Sequence, residues 1–65
     1  MLKDLLKEFN IRPFLTIEGC TVFYVPSELI DEFYRKTRSI DFILRYSVDC
    51  SAVTSEKWIF HVKEL

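Results

Sequence analysis

Residues 26–39 read PSELIDEFYRKTRS, and the helix they spell divides the chain into two β-rich halves. Ser27 after Pro26 is placed as an N-cap. Glu28, Asp31 and Glu32 then fall early and Arg35, Lys36 and Arg38 late, the order a helix dipole favours. Leu29, Ile30, Phe33, Tyr34 and Thr37 recur at helical spacing as one buried stripe. Asp31 with Arg35, and Glu32 with Lys36, are i, i+4 pairs of favourable polarity, each worth about 0.2–0.5 kcal/mol.

Before this helix, residues 12–25 (RPFLTIEGCTVFYV) hold two runs of β-branched and aromatic residues on either side of Glu18-Gly19, the only glycine. A hairpin with a two-residue loop sets Ile17 opposite Cys20, Thr16 opposite Thr21, Leu15 opposite Val22 and Phe14 opposite Phe23. One face then carries Leu15, Ile17, Cys20, Val22 and Tyr24, and the other Phe14, Thr16, Thr21, Phe23 and Val25. Further upstream, Leu2, Leu5, Leu6 and Phe9 form one face of a short amphipathic helix that ends near Asn10. Its polar face has two acids for two bases, so it is expected to pack on the sheet and not on a membrane.

After the central helix, Ile40 to Cys50 alternates with a period of two, which predicts a long half-buried strand with Ile43 and Arg45 outward. Residues 51–56 supply a turn. Lys57 to Leu65 alternates again, with Trp58, Phe60 and Val62 inward and Lys57, Ile59, His61 and Lys63 outward. The expected fold is therefore a single α+β domain over residues 1–65. Its order is α-β-β-α-β-β, a mostly antiparallel four-stranded sheet with two helices packed on it.

A chain of 65 residues buries only about 60% of its unfolded surface, so its core is small. Its 49% hydrophobic content nonetheless places it outside the disordered class. Nine basic and ten acidic side chains leave a net charge of −1, with no global field to draw in nucleic acid or anionic lipid. Charges at Lys3, Asp4, Lys7 and Glu8 interrupt any signal-peptide core, and no apolar run approaches the ~20 residues of a membrane span. Two cysteines outside any CxxC pair favour a reducing, cytoplasmic setting.

Catalysis has no positive sign in the sequence. Strand parity puts Cys20 and Cys50 on apolar faces and His61, the only histidine, on the other, so a cysteine–histidine pair is not expected. The scattered Cys, His and acidic residues lack the spacing of a metal site, and a single glycine makes no phosphate loop. No cofactor and no small-molecule substrate are expected.

The strongest signal is a surplus of apolar residues on the nominally outer sheet face. If both helices share the other face, Phe14, Phe23, Val25, Ile43 and Ile59 stay open, with Arg45, His61 and Lys63 at the rim. The expected function is that of a non-catalytic protein-binding module, a regulator or inhibitor acting by occlusion of a partner surface or as a homodimer. The alternative is a nucleic-acid-binding module that uses Arg35, Lys36, Arg38 and Arg45.

Overall fold

The computed structural model describes residues 1–65 and contains a four-stranded antiparallel sheet with every helix on one side of it. The elements run α1 (Leu2–Glu8), β1 (Leu15–Ile17), β2 (Cys20–Pro26), a 3₁₀ turn (Ser27–Leu29), α2 (Ile30–Thr37), α3 (Ile40–Ile43), β3 (Tyr46–Val53) and β4 (Lys57–Glu64). In space the strands lie β1-β2-β4-β3. The expected α+β fold and antiparallel sheet are present, with one short helix more than the sequence reading placed.

The hairpin forms in the expected register, Leu15 with Val22, Thr16 with Thr21 and Ile17 with Cys20. Glu18 and Gly19 both have positive φ, 51° and 79°, as a two-residue turn that follows the sheet's twist requires. α1 ends as a Schellman motif. Asn10 is left-handed (φ 56°), its N–H donates to Lys7 C=O, and Ile11 N–H donates to Leu6 C=O at 2.8 Å, which also folds Ile11 into the core.

Three local readings are corrected. Ser27 does not cap the central helix: α2 starts at Ile30, and Ser27 instead ties the helix entrance to the β3–β4 turn. Its N–H donates to Glu56 C=O at 3.0 Å and its hydroxyl to Ser55 C=O at 3.3 Å. Residues 40–43 are helical and not the start of a strand. Ser39 is extended and its carbonyl accepts from both Phe42 and Ile43 N–H, so the apparent alternation of Ile40 and Phe42 is resolved as a turn of helix with Phe42 in the core. Lys36 pairs across helices with Glu8 at 3.4 Å and not with Glu32.

The core sits between the helices and one sheet face. Phe33 of α2 is its hub, with ring centroids 5.6 Å from Phe23, 5.0 Å from Phe60 and 5.9 Å from Phe9. Phe23 and Val25, expected outward, have no exposed surface. The register explains why: Phe23 is paired with Phe60 and Val25 with Trp58, so they share the face that the helices cover. Both hairpin faces are apolar, and only the pairing with β4 decides which one goes inside.

Two consequences are measurable by urea denaturation. Phe33→Ala is expected to cost about 3–5 kcal/mol, a large part of the stability of so small a domain. Glu18→Asn is expected to stabilise by a few tenths of a kcal/mol to about 1 kcal/mol, because asparagine takes the left-handed region more readily.

Candidate functional site

The sheet face turned away from the helices is built by register. Ile17, Cys20, Lys63 and Ser47 form one row across the four strands. Leu15, Val22, His61 and Asp49 form the next, and Tyr24, Ile59 and Ala52 a third. Phe14 does not extend the hairpin ladder opposite Phe23. Its N–H donates to Val22 C=O at 3.0 Å, and its ring stacks on Tyr24 with centroids 4.8 Å apart. Phe14, Leu15, Ile17 and Tyr24 are 52%, 43%, 53% and 42% exposed, whereas Val22 beneath them is buried by the patch itself and not by the main core. The result is an apolar surface on β1 and β2 that passes into polar residues on β4 and β3.

Charge lies around this surface and not within it. Lys57 Nζ sits 5.3 Å above the Tyr24 ring, an exposed cation–π contact worth about 0.5–1 kcal/mol. Leu15, Ile17, Glu18, Cys20, Val22, His61 and Lys63 line a depression of about 300 Å³, at the low end of small-molecule pockets.

Of the residues expected to bind a protein, Phe14, Ile59 and His61 meet on this open face. Phe23 and Val25 are core. Ile43 lies on α3 and Arg45 in the link from α3 to β3, because the first part of the predicted strand is a helix. Leu15, Ile17 and Tyr24, expected inward, are surface residues, with Val22 buried beneath them. Their common stripe was legible, and it was assigned to the wrong side.

Cys20 and His61 also share the open face, contrary to the expected separation: Cys20 is opposite Lys63, and Val22 is opposite His61, so the two are diagonal neighbours. No hydrogen bond joins them. Cys50 is on the helix side, where its thiol donates to Ala52 C=O at 3.7 Å across a bulge in β3. β4 separates β2 from β3, so the two cysteines do not face each other. No group of three His, Cys, Asp or Glu side chains is placed to hold a metal ion. No helix is long and apolar enough to cross a membrane.

The basic cluster is partly engaged locally. Lys36 is paired with Glu8, and the Arg38 guanidinium lies 5.5 Å above the Tyr34 ring. Arg35 and Arg45 are exposed. Tyr34 also packs edge-on against Trp58 and Phe60. Burial pushes its hydroxyl pKa up, Cys50 adds to the rise, and Arg38 opposes it.

A folded-state pKa above the unfolded value makes a contribution to stability that is complete below the ordinary tyrosine range. It is lost as pH rises through the raised value. Tyrosinate absorbance is expected to show a component titrating above about 10 that disappears in Tyr34→Phe.

No protein-family model, curated protein or solved structure matches this chain, so its candidate site is defined by this geometry alone.

Proposed function

We propose that this chain is a small non-catalytic protein-binding module, a regulator or inhibitor that occludes a partner's surface with the open face of its sheet. The observation that carries the reading is the apolar patch of Phe14, Leu15, Ile17, Val22, Tyr24 and Ile59 on a face that no element of the chain covers. A two-layer domain buries one side of its sheet, and an apolar second side calls for a third layer from outside. Total surface supports the same reading. The chain exposes 4841 Å² at 7.8 kDa, whereas a compact monomer of that mass exposes about 4,400 Å².

The stacked Phe14 and Tyr24 rings supply the anchor, since rigid aromatics in a desolvated centre dominate most interfaces. Lys57, His61, Lys63 and Asp49 form a polar rim that sets orientation. The reading includes a cytoplasmic setting, supported by two thiols held on opposite sides of the sheet with a strand between them. Nucleic-acid binding through Arg35, Lys36, Arg38 and Arg45 has less support, because two of these four cations already have partners within the chain.

Affinity capture from the native host with paired variants separates the readings. Tyr24→Asp, shown folded by circular dichroism, is expected to weaken binding of the wild-type partner by about thirtyfold, as loss of a ~2 kcal/mol hot spot would. Charge reversal at Arg35 and Lys36 is expected to leave that binding unchanged. The opposite pattern, with steep salt dependence, would replace this reading with the nucleic-acid one.

A further inference from the structure

The two edges of the sheet differ in character. β1 is three residues long, whereas β3 runs for eight and pairs on one side only. One hydrogen bond fixes which groups of β3 face its free side. Leu65 N–H donates to Arg45 C=O at 2.8 Å, so Arg45 points toward β4. By the alternation of an antiparallel strand, Ser47 and Asp49 do the same, opposite Lys63 and His61. The backbone N–H and C=O groups of Tyr46, Val48 and Cys50 therefore face the open edge. A bulge at Ser51 ends the regular run directly after them. Natural edges are commonly guarded by lysine, proline or a covering segment, and Tyr46–Cys50 has neither residue type.

A second unpartnered feature leads straight into this run. α3 turns Phe42 inward against Tyr46, with ring centroids 4.6 Å apart, and leaves Ile40, Ile43 and Leu44 at 69%, 51% and 72% exposure. That i, i+3, i+4 spacing is one continuous aliphatic stripe.

We propose that a second copy of this chain occupies both features, through antiparallel β3–β3 pairing about a two-fold axis at Val48. The three outward-facing residues are symmetric about that position. Val48 meets Val48 of the second copy and Tyr46 meets Cys50, so every outward N–H of the run finds a carbonyl. Neighbouring registers that keep the faces matched do worse. An axis at Ser47 sets Arg45 directly opposite Asp49 but leaves Cys50 against Leu44, which lies outside the strand, so the backbone run is shortened, and an axis at Asp49 brings the two Asp49 carboxylates together. With the axis at Val48, Ser47 faces Asp49 of the second copy, and Arg45 is diagonal to that carboxylate within the reach of a long side chain. The charges complement each other. The same arrangement carries α3 of each copy to the Cys50 end of the other's β3, where its apolar stripe gains cover. Each open face stays free, and the two four-stranded sheets become one of eight strands with an apolar patch at either end.

Sedimentation equilibrium of the full chain from about 1 to about 200 µM tests this pairing. A reversible dimer is expected. Val48→Pro removes an outward N–H, which an edge strand tolerates, along with the valine's contact at the margin of the core, and is expected to stay folded and become monomeric. Asp49→Arg and Arg45→Glu are each expected to weaken the dimer by about tenfold, and the double variant to restore it, because antiparallel β3–β3 pairing brings the two positions close across the axis. If Val48→Pro fails to fold, the charge exchange decides alone. A monomer at every concentration overturns the proposal. So does a dimer that survives Val48→Pro, one whose charge exchange shows no rescue, or one dispersed by Tyr24→Asp, which would place self-association on the open face instead.

Discussion

The structure depends on the packing of Phe33 between Phe23 and Phe60. These three rings, with no surface exposed on any of them, join α2 to the two central strands, and Phe9 adds α1 to the same cluster. In a chain whose buried set is twelve residues, little else holds the layers together. Once Phe33 has chosen the face that bears Phe23 and Phe60, α1 and α3 must join it there, because Leu5, Leu6 and Phe42 complete the same cluster.

The concentration of helices on one side creates the other side's chemistry. Three short helices and a 3₁₀ turn fill one face, and the sheet's second face keeps its apolar half uncovered. The bulge in β3 sharpens the division. Before it, Tyr46, Val48 and Cys50 point to the helices; after it, Ala52 is opposite Ile59 on the open face and Val53 opposite Trp58 on the covered one. Local polar bonds brace the ends of this arrangement. Thr54 closes the β3–β4 turn by accepting from Lys57 N–H at 2.9 Å, and Ser27 anchors the start of the helical layer to that turn.

The fold class, the hairpin register, the stripe of α2 and the boundaries of β4 were legible in the sequence because each rests on a local period or a local turn. Glu18-Gly19 admits a two-residue loop, and that loop alone sets Leu15 against Val22. Ile40 to Ile43 was misread because four residues are too few to separate a period of two from one of 3.6, and the extended Ser39 decided in favour of a helix. The candidate site was half legible. The sequence shows that the sheet has more apolar side chains than two helices cover, and Phe14, Ile59 and His61 belong to the surface that results.

The amino-acid sequence by itself determined which residues alternate, where the chain turns, and that both faces of the first hairpin are apolar. Tertiary structure alone decided which of those faces meets the helices. That choice is made by β4, which inserts between β2 and β3 and pairs Phe23 with Phe60, contacts between residues 37 positions apart that no local pattern encodes. A strand's period of two tells which side chains share a face, and only the neighbouring layer tells which face is inside.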